Sequence, residues 1–215
     1  MISVCVVDDH EVVRRGIRQI LSETPDIRVV DEAASGEELL KKLAVKRFDV
    51  ILLDISMPGR GGLEALKEVK ARIPKLPVLM LTMHSEDQYA VRAIKLGADG
   101  YLTKELVSDS LAAAIRKLVS GGKYITPSLA EGLVDELGAG RSALPHESLS
   151  DREYQVFGML ARGKSVTGIA KELGLSAKTI STNRARLLAK MGLHNNAEIV
   201  YYAIQHRLVP LPHNL

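Results

Sequence analysis

The stretch that decides the fold is Phe48-Asp49-Val50-Ile51-Leu52-Leu53-Asp54-Ile55-Ser56-Met57-Pro58-Gly59. Val50 to Leu53 is a continuous apolar run without two-residue alternation, the pattern of a central parallel strand buried on both faces. Asp54 closes the run and is followed by a Pro/Gly loop, which puts a carboxylate at the carboxyl edge of an α/β sheet, where such sheets bind ligands. An isolated Asp after a strand opens a turn more often than it does chemistry. The rest of the chain has to justify the stronger reading.

Working outward, the same alternation repeats. Ile2 to Val7 is a β-branched run ending in Asp8-Asp9-His10, after which Val12, Val13, Ile17, Ile20 and Leu21 recur at helical spacing. Residues 27–33 read as a second strand, and Ser35-Gly36-Glu37-Glu38 is a capping-box pattern opening a helix with Leu39, Leu40 and Leu43 on its apolar face. After the central strand, Leu63, Leu66, Val69 and Ile73 mark a helix stopped by Pro74. Val78 to Leu81 then leads to Thr82, and a helix over 86–96 ends at Gly97 as a left-handed cap. Tyr101-Leu102 is a short fifth strand before Thr103-Lys104, and Leu111, Ile115, Leu118 and Val119 stripe a last helix ending at Gly121-Gly122. Five strands alternating with five helices predict a flavodoxin-like, doubly wound α/β parallel sheet with right-handed crossovers.

From Gly121 the character changes. Residues 138–145 are small, polar and punctuated by Gly and Pro, a linker that follows a short helix within 128–137. Beyond it only helices are signalled. Ser150-Asp151-Arg152-Glu153 is a capping box, Gly163 a stop, Gly174-Leu175-Ser176 a tight turn, and 177–191 a helix closed by Gly192. Asn195-Asn196-Ala197-Glu198 caps a fourth helix. The predicted organisation is 1–122, a linker over 123–147, and a small all-α domain over 148–215.

The formal charge of +3 is unevenly spread. Residues 1–120 hold 18 basic and 18 acidic side chains, 121–147 hold 2 and 4, and 148–215 hold 9 and 4. The last third alone is clearly basic, which points to a polyanionic partner. The single cysteine, Cys5, lies in an apolar strand and reads as packing; it excludes an intrachain disulfide. No apolar run approaches the ~20 residues that span a bilayer, so a cytoplasmic protein is expected.

The ends of the first, third, fourth and fifth strands carry Asp8-Asp9, Asp54, Thr82 and Lys104, and in a parallel sheet these ends share one edge. Singly, each has an ordinary structural reading: a helix cap, a turn, a β-branched strand residue, a solvated lysine. Together, three carboxylates this close call for a cation, and oxygen-only ligands favour Mg²⁺. A carboxylate beside a divalent ion can attack phosphorus, while Lys104 and the Thr82 hydroxyl supply the charge and the donor that a phosphoryl group requires. His10 and His84, without cysteine or matched spacing, read as local hydrogen-bonding groups.

These residues, with Met57-Pro58, Gly61-Gly62 and Tyr101 three residues before Lys104, resemble the receiver domain of two-component response regulators over 1–120. The resemblance implies Asp54 as phosphoacceptor, Asp9, Asp54 and the Ser56 carbonyl as metal ligands with Asp8 acting through water, and Thr82 and Tyr101 as the switch. Two positions depart from the pattern. Glu105 follows Lys104 where proline is frequent, and Met83 stands where a small residue is common.

In the last third, a helix, a tight Gly turn and a second helix form the arrangement that presents a helix to the DNA major groove. At 100° per residue, Ile180, Leu187, Leu188 and Met191 share one face of the second helix, opposite Lys178, Ser181, Thr182, Ala185, Arg186 and Ala189. A solvated face that binds protein fits this pattern equally well. Leu149-Ser150-Asp151-Arg152-Glu153, Ile169-Ala170-Lys171-Glu172-Leu173-Gly174-Leu175-Ser176 and Lys178-Thr179-Ile180 resemble the LuxR-type helix-turn-helix. With the receiver in front, the chain is similar to regulators of the NarL/FixJ family. That implies a histidine kinase as phosphodonor, double-stranded promoter DNA contacted by Lys178, Thr179, Ser181, Thr182, Arg184 and Arg186, and a homodimer when phosphorylated. The departure here is Ser181 and Asn183, where the family often has lysine and histidine.

Two other functions stay open on residues alone. A Mg²⁺-dependent phosphatase with Asp54 as nucleophile is one, although haloacid-dehalogenase-type enzymes usually place an acid where Ser56 stands. A phospho-dependent protein-binding module without a DNA target is the other.

Overall fold

A computed structural model of the 215-residue chain describes residues 1–59, 61–82, 87–126, 129, 144–206 and 208–209. The chain divides into two compact units, Met1–Asp135 and Glu136–Leu215. The expected helix within 128–137, most of the linker over 138–145, and Met83, His84 and Glu86 lie outside the described residues.

The first unit is a five-stranded parallel sheet in the order β2-β1-β3-β4-β5, with β1 Ile2–Val7, β2 Ile27–Ala33, β3 Val50–Asp54, β4 Val78–Thr82 and β5 Gly100–Thr103. Helices α1 Glu11–Ser22, α2 Gly36–Val45, α3 Gly62–Arg72, α4 Asp87–Lys95 and α5 Val107–Val119 connect and follow them. Every residue of β3 and β4 is buried, as an unalternating apolar run requires of a strand covered on both faces. Cys5 is fully buried in β1, and burial pushes its thiol up to about 12, so it is packing rather than chemistry.

Register fixes what gathers at the carboxyl edge. Val7 pairs with Leu53, Asp54 with Leu81, and Thr82 with Thr103. The residues just past these pairs, Asp8 and Lys104, therefore reach the same edge as Asp54 and Thr82. Lys104 opens a 3₁₀ turn, Lys104–Leu106, directly after β5.

Some local expectations change in detail. Ser35 accepts from the Glu38 N–H, but the Glu38 carboxylate reaches back to the Ala34 N–H, one residue before the cap. Val119 is 38% exposed, so the apolar stripe of α5 ends at Leu118. Chain past α5 also returns to the sheet: Tyr101 N–H donates to the Tyr124 carbonyl and Tyr124 N–H to Asp99, giving an isolated parallel bridge between Gly100 and Tyr124. Residue 124 had been assigned to the linker. A single bridge carries no periodicity, so the sequence pattern could not announce it.

The second unit contains a 3₁₀ turn, Pro145–Ser148, then α6 Asp151–Ala161, α7 Val166–Glu172, α8 Ala177–Met191 and α9 Asn196–Gln205. Ser150 and Glu153 form the reciprocal capping box, and Ser165, Ser176 and Asn195 cap the next three helices. Gly192 ends α8 at φ 66°, in the left-handed region. Buried Glu153 also receives Lys190 Nζ at 2.6 Å, which pins the start of α6 to the end of α8.

Gly62 shows how tightly the site is framed. A Cβ there would run into the Asp54 carbonyl oxygen and come within 2.8 Å of the Ile55 Cα. Backbone at the tip of β3 cannot yield as a flexible side chain would. Gly62→Ala is expected to destabilise the first unit by about 1–3 kcal/mol, the usual cost of overpacking, measured by denaturant unfolding. A stability equal to that of the parent chain would contradict this close approach.

Candidate functional site

At the carboxyl edge, Lys104 Nζ lies 2.6 Å from Asp8 Oδ2 and 2.9 Å from Asp54 Oδ1. The side chains of Asp8 and Asp54 are 0% and 1% exposed, and that of Lys104 only 9%. This shared ammonium is the counter-charge of both carboxylates. By strict geometry no hydrogen bond closes on Asp8 Oδ2, on either Asp54 oxygen or on the buried Asp9 Oδ1, while the Ser56 backbone N–H approaches the Asp54 carboxylate. Buried acceptors are rarely left this way. Four such oxygens on three carboxylates fit a hard divalent cation with oxygen ligands.

Within this edge the grouping is uneven. The donor atoms of Asp8, Asp9 and His10 lie within 4.8 Å of one another, and Asp54 joins them through Lys104. Thr82 is buried at the end of β4 next to the Asp54–Leu81 pair, and Ser56 is half-buried in the loop after β3. Tyr101 is 6% exposed, its ring already buried.

Arg14, outside the initial reading, and His10, expected as a local hydrogen-bonding group, hold this edge in place. Arg14, one turn into α1, donates from Nη1 to the Asp8 carbonyl at 2.7 Å and from Nε to Glu32 at 3.1 Å, tying the acidic loop to β2. His10 donates its backbone N–H to Asp8 Oδ1 at 2.8 Å. Arg14 belongs to no motif and to no apolar face, so only the proximity of α1 to β2 reveals its role.

In the second unit, Ile180, Leu187, Leu188 and Met191 are the buried residues of α8, the four predicted. Lys178, Thr179, Ser181, Thr182, Ala185, Arg186 and Ala189 are exposed. Arg184 differs. It is half-buried, with Nε donating to Asn196 Oδ1 at 2.6 Å at the start of α9, so it braces α8 against α9 and does not stand on the open face. The Thr182 hydroxyl donates back to the Lys178 carbonyl, and the Thr179 and Ser176 hydroxyls pair at 2.8 Å.

Residues 4–116 match the response regulator receiver domain family, and residues 147–203 match the bacterial regulatory proteins of the luxR family. Response regulator UvrY of Escherichia coli (strain K12) is 38% identical over 209 residues, covering 97% of this chain and 96% of that protein. The chain belongs to the response regulators. Response regulator GacA of Pseudomonas aeruginosa is 37% identical over 210 residues, covering 97% and 98%. Among solved structures, RcsB from Salmonella enterica serovar Typhimurium, bound to promoter rprA in the presence of phosphomimetic BeF3-, aligns with a TM-score of 0.62. It is 29% identical and covers 94% of this chain and 98% of that one. The protein is a phosphorylation-regulated transcription regulator with a flavodoxin-like receiver and a helix-turn-helix domain. No helix among the described residues is long and apolar enough to cross a membrane.

Electrostatics set the state of this response regulator's pocket. Burial raises the Asp54 carboxyl from 3.8 to about 6; Lys104 works against the rise and Asp8 adds to it. Burial pulls the Lys104 ammonium down, but the Asp54 and Asp8 charges outweigh it and hold it above the usual lysine range. Asp54 thus binds its proton more tightly folded than unfolded. Its contribution is neutral below about pH 4 and becomes fully destabilising above about pH 6, by roughly 2–3 kcal/mol.

Asp54→Asn is therefore expected to raise the unfolding midpoint of the metal-free protein at pH 7.5, with the gain vanishing near pH 4 and Lys104 still paired to Asp8. Calorimetry across that pH range checks it. A gain that does not depend on pH would contradict the assigned burial cost.

Proposed function

We propose that Asp54 accepts a phosphoryl group from a sensor histidine kinase, and that the modified receiver changes self-association and promoter binding by the 148–215 domain, with 1–122 as receiver and 123–147 as linker. The observation carrying this reading is the buried pair of Asp54 oxygens that lack hydrogen bonds and face a lysine shared with Asp8. In the transfer, an Asp54 oxygen forms a bond to phosphorus as the phosphorus–nitrogen bond of the donor phosphohistidine breaks, and the imidazole leaves as the neutral base after taking a proton.

The roles follow from the charges. Asp8, Asp9, Asp54 and the Ser56 carbonyl are the groups that would hold Mg²⁺. When bound, Mg²⁺ neutralises the oxygens around the transferred phosphorus and allows two anions to approach. Lys104 then ion-pairs with the phosphoryl group, and the Thr82 hydroxyl donates to one of its oxygens. A phosphoryl group brings nearly two negative charges, so it displaces Lys104 from Asp8 in favour of the new anion. Thr82 and Tyr101 are the residues whose positions follow that change. Such a shift between two states is all the switch requires.

At the other domain, Lys178 and Arg186 neutralise phosphates, while Thr179, Ser181 and Thr182 face base edges of double-stranded promoter DNA. Arg184 contributes by bracing the reading helix. The phosphorylated chain forms a homodimer that spans two half-sites about one helical turn apart, and the protein acts in the cytoplasm without turning over a free substrate. Net positive charge confined to 148–215 supports a polyanionic partner for that domain.

Incubation with acetyl phosphate and Mg²⁺ tests this. Intact mass is expected to show one added phosphoryl group, absent from Asp54→Ala. Gel retardation of a genomic fragment should strengthen with phosphorylation and weaken steeply with added salt. Phosphorylation that leaves both self-association and DNA affinity unchanged would overturn the switch. Steady release of phosphate from a monoester, abolished by Asp54→Ala, would favour the phosphatase instead.

A further inference from the structure

The open face of α8 holds a threonine whose hydroxyl is already engaged. Thr182 Oγ1 donates to the Lys178 carbonyl, one turn back along the helix, at 3.0 Å. The hydroxyl and the γ-methyl occupy staggered positions on the same Cβ, so turning the first toward the helix backbone turns the second away from it. Thr182 is exposed, and what it presents outward is therefore a methyl group. At about 100° per residue, Lys178, Thr182 and Ala185 fall within about 60° of arc at the centre of this face. Ala185 is exposed and ends at its Cβ, so nothing longer screens the Thr182 methyl from a surface laid against the helix. Neighbouring polar groups are turned inward as well. The Thr179 hydroxyl pairs with the capping Ser176 at 2.8 Å, and half-buried Asn183 donates from Nδ2 to the Thr179 carbonyl at 3.0 Å.

We infer that Thr182 is a specificity-determining residue that selects thymine, through contact of its γ-methyl with the thymine 5-methyl group in the major groove. The inference rests on the proposed promoter-DNA reading of this domain and deepens it. Thymine alone among the four bases carries a methyl on its major-groove edge, and the threonine methyl is one of the apolar groups suited to meet it. A free hydroxyl would serve differently, because it can donate or accept at several bases and so discriminates poorly among them. Lys178, on the same arc, supplies charge to a phosphate and carries no sequence information, which leaves the choice of base at this position to Thr182.

The test uses full-length protein phosphorylated with acetyl phosphate and Mg²⁺. It is titrated against one genomic fragment that it retards, amplified once with dTTP and once with dUTP, so that the two duplexes differ only in their 5-methyl groups. Wild type is expected to bind the thymine duplex more tightly, by about 4-fold for each thymine read, the effect of taking one methyl out of water. Thr182→Ser keeps the hydroxyl and lacks the methyl, and should lose that discrimination. Thr182→Val keeps a methyl and lacks the hydroxyl, and should discriminate as the wild type does, with circular dichroism showing both variants folded. Single uracil substitutions along the fragment then locate the thymine read. Equal binding of the two duplexes by wild type, or discrimination that survives undiminished in Thr182→Ser, would overturn the role of the methyl and leave DNA binding standing. Retardation of no duplex at all would overturn the promoter-DNA reading itself.

Discussion

Three carboxylates and one ammonium share a buried corner where the charges do not balance. Asp8 and Asp54 compete for Lys104, the one ammonium between them. The frame around it supplies the opposing rigidity. Gly62 leaves no room for the β3 tip to retreat, and Arg14 holds the Asp8 backbone from the far side. Such a corner is stable only while the sheet enforces it, which is why an incoming cation or phosphoryl group acts on it so strongly: the first offsets a negative imbalance that the fold already carries, and the second deepens it.

The fold was legible wherever a period or a cap announces itself. An unalternating apolar run marked β3, and the residue after each strand end marked Asp8, Asp54, Thr82 and Lys104. Helical spacing along α8 separated Ile180, Leu187, Leu188 and Met191 from the exposed face. What escaped were contacts between elements. The bridge from Gly100 to Tyr124, the hold of Arg14 on Asp8 and the brace from Arg184 to Asn196 each join two residues without repeating along the chain. Periodicity reports on faces, and through-space pairs belong to no face. Val119 failed for a related reason, because a stripe on a helix says nothing about where its last turn leaves the sheet.

The two domains divide the physics between them. The receiver is charge-neutral overall and concentrates its imbalance in one corner, whereas the helix-turn-helix domain spreads its excess positive charge over its surface. Its α8 face carries small hydroxyl and methyl side chains between Lys178 and Arg186. On the proposed function, the cations set affinity and the small residues set which base edges fit, so neither alone defines a site. Arg184, engaged with Asn196, adds stiffness to α8 while its guanidinium keeps its charge.

The most direct measurement is the titration of the Asp54 carboxyl carbon by ¹³C nuclear magnetic resonance in metal-free protein, assigned by the signal lost in Asp54→Asn, and repeated with saturating Mg²⁺. The account predicts a midpoint near 6 without the ion and a clear fall when it is added. An ordinary midpoint near 4 that ignores Mg²⁺ would contradict it, because Asp54 would then be neither desolvated nor poised beside a cation site.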